Sequence, residues 1–351
     1  MRFEHQSLPQ RVRFASGEAA AALTEEVAAL GVSRVMVVAG GSEREVARQV
    51  AGGLPVVHWH HEVAMHVPLP VAERARAAAA RHGADALVCV GGGSTIGLAK
   101  AVALTTGLPI VAVPTTYAGS EATNVWGLTE DNRKTTGVDD RVLPRAVVYD
   151  AALTFTLPVD LSVASGLNGL AHCVDAMWGP RADPIDRALA GEGLRALRIG
   201  LPRVVAEPTG PAGREHTLYG AYLAAVAFTS AGSGLHHKIC HVLGGMFGLP
   251  HAQTHAVVLR YVLAFNAPAA PDAEARSAAA LGGDTALEAL DRLRAEVRAP
   301  VALRDYGMPE DGIPAAVPDI LAAVPPTNPR PVTADDLTAL LRAAWEGTHP
   351  R

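Results

Sequence analysis

Along the first 150 residues the apolar positions follow two alternating patterns. The runs "SRVMVV", "LPVVHW", "DALVCVGGGS", "LPIVAVPTT" and "RAVVYD" are short, β-branched and without polar alternation, as expected of strands buried on both faces. Between them, "GEAAAALTEEVAALG" (ending at Gly31), the polar-faced "SEREVARQVAG", the Ala-rich "VAERARAAAARHG" and "TIGLAKAVALTTG" read as helices. Strand and helix in alternation predict a parallel sheet covered on both sides, whose last strand ends at Asp150.

Beyond Asp150 the helical period takes over. "DLSVASGLNGLAHCVDAMWG", "DPIDRALAGEGLRALRIGLPRVVAE" and "REHTLYGAYLAAVAFTSAG" precede a histidine-rich stretch, and "TADDLTALLRAAWEG" reads as a helix N-capped by Thr333. The pattern divides the chain into an α/β domain, residues 1–155, and a mostly helical domain, residues 156–351, with a cleft between them as the expected ligand site. The Pro-rich "GMPEDGIPAAVPDILAAVPPTNPRPV" reads as a loop-rich connection. No repeat of solenoid period is present.

Composition narrows the class. The chain has 351 residues, 49% of them hydrophobic, and a net charge of -5. That balance, with no basic run, is not that of a nucleic-acid-binding surface. No apolar stretch reaches the ~20 residues of a membrane helix, and the start, "MRFEHQSLPQRVRF", lacks the apolar core of a signal peptide. A cytoplasmic enzyme without membrane or nucleic-acid partners is expected. The three cysteines, Cys89, Cys173 and Cys240, are scattered, as in a reducing compartment.

Two loops carry candidate nucleotide-binding chemistry. "GGGS" joins a strand to a helix; Gly92, Gly93 and Ser94 would let a phosphate approach the backbone and the helix N-terminus. The motif departs from G-x-G-x-x-G, since Ile96 stands at its last position, and a glycine cluster alone serves a tight turn equally well. The next strand runs into "VPTTYAGSE", where Thr115, Thr116 and Ser120 offer hydroxyls at the same sheet edge. Lys134 joins them as an expected cofactor contact, and Tyr117 lies in the same loop. The strand "VMVV" ends in "AGGS", with no carboxylate for a ribose and Arg44 close by, which leaves NADH and NADPH both open.

The helical half holds the unusual chemistry. "GLHHKICHVLGGMFGLPH", Gly234 to His251, sets four histidines and a lysine in eighteen otherwise apolar residues. Asn168 and His172 share a helix face at i and i+4, as do His237 and His241. Pro250 starts a new helix with His251 in its first turn; His236 and His255 lie nearby. Burying several such groups without shared purpose costs a few kcal/mol each, on the order of 2–7.

"GGGSTIGLAK", "VPTTYAGSE", "GLNGLAHCVDA", "HHKICHVLGGMFGLPHAQTHAVVL" and "NPRPVT" together resemble the iron-containing (group III) alcohol dehydrogenase superfamily. Within it, the chain is most similar to the branch that reduces maleylacetate, an unsaturated oxo-dicarboxylate, in bacterial degradation of aromatic compounds. The resemblance implies an N-terminal Rossmann-like dinucleotide-binding domain, an all-helical C-terminal domain and a homodimer. Metal-dependent members hold Fe²⁺ or Zn²⁺ by one Asp and three His, which here fall on Asn168, His172, His237 and His251. The neutral Asn168 removes the anionic ligand, and Gly97 replaces an Asp common in the superfamily. Both departures point to a metal-free site for a small dicarboxylate.

On this reading a nicotinamide hydride adds to a C=C bond conjugated with a ketone. His172, His237, His241 and His251 serve as electrophile and acid, Asn168 orients, and Lys238 holds a carboxylate, with Arg330 a second candidate clamp. The imidazole pKa, ordinarily about 6.5, would be raised by the substrate's two carboxylates. A metal-dependent alcohol or polyol dehydrogenase of the same superfamily is the alternative.

Overall fold

The computed structural model of the chain describes residues 2–130 and 133–350, without the side chains of residues 133 and 134. It resolves into two compact units, residues 8–157 and residues 1–7 with 158–351.

The first unit runs β1 (Arg11–Phe14), α1 (Ala19–Ala29), β2 (Val35–Val38), α2 (Arg44–Ala51), β3 (Val56–His60), α3 (Leu69–Arg81), β4 (Ala86–Gly91), α4 (Gly93–Thr106), β5 (Ile110–Pro114), β6 (Val125–Glu130), β7 (Arg133–Val138) and β8 (Ala146–Tyr149). Six strands form one sheet in the order β1-β8-β5-β4-β2-β3, every pair parallel. Val35, Val37, Val88, Val90, Val111 and Val113 pack in one cluster with Leu23, Val27, Ala47 and Val50 of α1 and α2. Their intervening neighbours are buried too, which is why the strands read as unbroken apolar runs.

Three strands escape the apolar pattern. β1, "RVRF", pairs with β8 at the sheet edge and is half exposed, so charged residues are tolerated. β6 and β7 form an antiparallel hairpin of their own.

The second unit is built from α5 (Val159–Trp178), α6 (Pro184–Ala206), α7 (Pro211–Ala231), α8 (Leu235–Phe247), α9 (His251–Asn266), α10 (Pro271–Leu281), α11 (Ala286–Glu296), α12 (Gly312–Ala323) and α13 (Ala334–Glu346). One core gathers around α5, α6 and α7, and a second joins α8 and α9 to α12 and α13. α5 is buried along nearly its whole length, so any polar side chain on it is desolvated. Thr333 caps α13 in a reciprocal capping box with Asp336.

The Pro-rich segment corrects the sequence reading. It contains helix α12, with Pro318 inside it. Ile313, Ala316, Val317 and Ile320 recur at helical spacing and are all buried. That burial outweighs the cost of an interior proline, about 3 kcal/mol.

Candidate active site

In the first unit, β2 and β4 are sheet neighbours from which the chain continues outward in opposite directions, to β3 and to β5. This is the switch point at which open α/β sheets bind ligands. Both strands lead into glycines there: Gly40 and Gly41 after β2, Gly91 to Gly93 at the end of β4. A Cβ on Gly92 would sit 2.9 Å from Thr116 Cγ2, so the two candidate cofactor loops touch only because Gly92 has no side chain. α4 starts with no side chain bonded at its N-cap. Gly93, Ser94, Thr116 and Ser120 are half-buried beside it, and Thr115 is buried. Tyr117 is fully buried and Arg44 exposed. The Lys134 side chain lies outside the described residues.

Sequence reasoning passed over Lys100, which braces this edge. Its buried ammonium donates to the carbonyls of Ser120 (2.6 Å), Thr123 (2.8 Å) and Val125 (2.8 Å) and to Thr123 Oγ1 (2.9 Å). Burial pushes its pKa down to about 7. The structure also accounts for Gly97: a Cβ there would lie 2.9 Å from Val67 Cγ2. Val67 is held at φ 49°, a strained conformation for a β-branched residue.

In the second unit, α5, α8 and α9 bring six imidazoles together. The His172 and His237 rings stack with centroids 4.9 Å apart, and Phe228 of α7 lies 4.9 and 4.2 Å from them. His255 is 4.8 Å from His237 and 4.3 Å from His251, while His241 is 6.0 Å from His237. His236 and His255 share a 2.9 Å Nε2···Nδ1 hydrogen bond. His236, His237 and His255 are buried, whereas His241 and His251 are exposed. Asn168 Oδ1, His172 Nδ1 and His237 Nε2 are buried without a hydrogen-bond partner.

The residue that organises the cluster is Asp175, which follows Asn168 and His172 on the α5 face but was not singled out from the sequence. Its Oδ2 accepts from His237 Nδ1 (2.6 Å), His237 N (3.2 Å) and Gly234 N (3.1 Å). One carboxylate thus caps α8 and fixes His237 with its Nδ1–H toward Asp175 and its Nε2 lone pair free. Gly234 is required, since a Cβ would fall 2.5 Å from Asp175 Oδ1. Phe228, one of three aromatics with Tyr219 and Tyr222 in an Ala-rich helix, carried no sequence signal.

Desolvation keeps the buried imidazoles neutral: it lowers His172 to about 4 and His236 to about 3, and holds His237 and His255 well below their usual range. Burial pushes Asp175 up to about 7. Cationic histidines are therefore not the resting state of the buried cluster. A stability prediction follows for His172. Its folded pKa lies below the unfolded one, so its contribution is complete above pH 6.5 and is lost as the pH falls toward 4. Asp175, with its pKa raised, contributes in the opposite sense, losing stability as pH rises from 3.8 toward 7. Urea unfolding at pH 7 and pH 5 should show His172→Phe losing about 2 kcal/mol less than wild type over that interval.

Among the described residues, the sets of three or more His, Cys, Asp or Glu whose donor atoms all lie within 4.8 Å of one another are His236–Cys240–His255 and His5–Asp183–Asp186. His172, His237 and His251 do not form such a set among the described residues, and Asn168 supplies no charge.

Of the expected substrate clamps, Lys238 is half-buried next to His237, and its ammonium makes no hydrogen bond or ion pair among the described residues. Arg330 is committed elsewhere: it stacks on Phe265 at 4.2 Å and pairs with Asp336.

A six-stranded parallel sheet with a glycine-lined switch point, joined in one chain to a helical unit with a histidine core, matches a known class. The family model "Iron-containing alcohol dehydrogenase" matches residues 9–151, and "Fe-containing alcohol dehydrogenase family, C-terminal" matches residues 162–345. An iron-containing alcohol dehydrogenase from Corynebacterium glutamicum is 63% identical, with a TM-score of 0.97 over 98% of this chain and 97% of that one. The chain belongs to the iron-containing alcohol dehydrogenase family. Within it, it groups with the maleylacetate reductases. That of Pseudomonas knackmussii is 45% identical over 100% of this chain and 99% of its own length. The structure of the Agrobacterium tumefaciens enzyme is 40% identical, with a TM-score of 0.94 and full coverage of both chains. No helix among the described residues is long and apolar enough to cross a membrane.

Proposed function

We propose that this enzyme reduces the C=C bond of maleylacetate to give 3-oxoadipate, with NADH or NADPH as hydride donor and without a bound metal. The observation that carries the reading is the likeness to maleylacetate reductases, 40–45% identical over 99% or more of both chains, together with a half-buried Lys238 that follows His237 in the chain and whose ammonium makes no hydrogen bond or ion pair among the described residues. Lys238 can pair with a substrate carboxylate, whereas the lone pairs of Asn168 Oδ1 and His237 Nε2 accept hydrogen bonds from a donor group.

In the reaction, hydride adds to the alkene carbon β to the ketone, and the electron pair moves onto the ketone oxygen as an enolate. The enolate needs a hydrogen-bond donor aimed at it, and the α-carbon then needs a proton. The exposed His241 and His251, facing solvent and a dianion, are suited to carry that proton. His172, His237 and Asn168 shape and orient the pocket. Lys238 holds a carboxylate. Gly92, Gly93, Ser94, Thr115, Thr116, Ser120 and Lys134 are assigned to the coenzyme. The same proposal extends to a cytoplasmic homodimer.

The deciding assay follows NADH or NADPH absorbance with freshly generated maleylacetate, with and without EDTA, beside elemental analysis of the enzyme. Turnover unaffected by EDTA supports the reading. A stoichiometric metal whose removal abolishes activity overturns its metal-free part, and absence of turnover overturns the whole. Lys238→Met should raise the KM for maleylacetate at least tenfold, the loss of about 1.4 kcal/mol or more expected for a charge-assisted contact, with the KM for NADH little changed. Equal effects on both would remove Lys238 from the substrate site.

A further inference from the structure

Asp183 and Asp186, at the start of α6, form a capping box with an uncommon property. Asp183 Oδ1 accepts from the backbone N–H groups of Ile185 (2.7 Å) and Asp186 (2.9 Å), and Asp186 Oδ2 accepts from Asp183 N (3.3 Å). Each carboxylate thereby spends one oxygen on the helix end and keeps the other. The two spare oxygens point at one imidazole: His5 Nδ1 lies 2.8 Å from Asp183 Oδ2 and 3.6 Å from Asp186 Oδ1. Ser230 Oγ at the end of α7 is 3.4 Å from the same nitrogen.

Charge and solvation make this arrangement incomplete. Asp183 is 3% and Asp186 0% exposed, and Asp186 Oδ1 has no hydrogen-bond partner. Among the described residues no lysine or arginine pairs with either carboxylate; Arg181 nearby donates to the carbonyls of Thr229 and Ser230. Two buried carboxylates thus share one imidazole, and burial raises Asp186 above the usual carboxyl range. A small divalent cation would supply the missing charge. The spacing comes close to that of one once the 2.8 Å His5–Asp183 hydrogen bond opens by about half an ångström. Donors about 2.0–2.2 Å from a tetrahedral ion stand roughly 3.3–3.5 Å apart, and the separations from His5 Nδ1 are 2.8, 3.4 and 3.6 Å. The His5 side chain is 12% exposed, which leaves an approach.

We propose that His5, Asp183 and Asp186 form a divalent-cation site, for Zn²⁺ or Mn²⁺ by its nitrogen and oxygen donors, that ties the N-terminal segment to α6 and α7. The ion displaces the proton on His5 Nδ1, takes the spare oxygen of each carboxylate, and can draw Ser230 Oγ as a weaker ligand. The site shares no residue with the histidine cluster and does not depend on the reaction assigned above.

The test uses the full-length enzyme, freed of metal by EDTA and desalted, titrated with ZnCl₂ by calorimetry. His5→Ala, which leaves the capping box whole, should lose one equivalent of zinc or bind it at least tenfold more weakly, and Asp186→Asn should do the same. His237→Gln should retain that equivalent. Zinc should raise the Tm of wild type and not of His5→Ala, while turnover by His5→Ala stays at the wild-type level. Equal zinc stoichiometry and affinity in wild type and His5→Ala, or an equal Tm rise in both, would overturn the site.

Discussion

His237→Gln is expected to lower kcat/KM for maleylacetate by about 10²–10⁴-fold, the range for removing a group positioned in proton transfer or its support. The imidazole is the centre of the cluster: it stacks on His172, meets Phe228 and His255, and keeps a buried Nε2 with no partner. Glutamine preserves the size and a polar end but cannot keep one nitrogen committed to Asp175 while presenting another inward. Coenzyme binding, assigned to the other unit, should be unchanged, so fluorescence titration with NADH provides the control. A kcat/KM within a few-fold of wild type would remove His237 from the chemistry and throw weight onto His241 and His251.

Asp175→Ala should cost about 3–5 kcal/mol of stability, the scale for deleting one partner of a buried hydrogen-bonded pair. Three N–H donors converge on Asp175 Oδ2, and two of them are backbone groups at the start of α8. Alanine leaves all three buried and unpaired. The same change frees the His237 tautomer, so kcat should fall on the order of 10²-fold or more in the protein that remains folded. Urea unfolding and single-turnover kinetics separate the two effects. Unchanged stability would show that water, and not Asp175, satisfies the end of α8.

Much of the architecture is legible in the chain because burial writes period into sequence. Strands β2, β4, β5 and β8 are covered on both faces and appear as unbroken apolar runs; the exposed edge strand β1 and the hairpin β6–β7 are not, and leave no such trace. α12 shows the reverse failure: prolines hid a helix whose apolar spacing was regular. In the site, residues within one helix turn were recoverable. Asn168 and His172 on α5, and His237 and His241 on α8, follow from spacing alone. Partnerships between helices were not, because α5, α8 and α9 meet only through packing. The Asp175–His237 contact spans 62 residues and the His236–His255 bond spans 19.

Residue types and local spacing by themselves determined a parallel α/β half, a helical half, glycine and hydroxyl loops at one sheet edge, and a surplus of histidine where apolar residues belong. Tertiary structure alone decided which imidazoles are buried and neutral and which face solvent, that Asp175 anchors one of them, and that Arg330 is already engaged while the Lys238 ammonium, among the described residues, is not. The division has one cause. Periodicity records whether a residue faces the core, whereas protonation, tautomer and pairing depend on neighbours that only folding brings within a few ångströms.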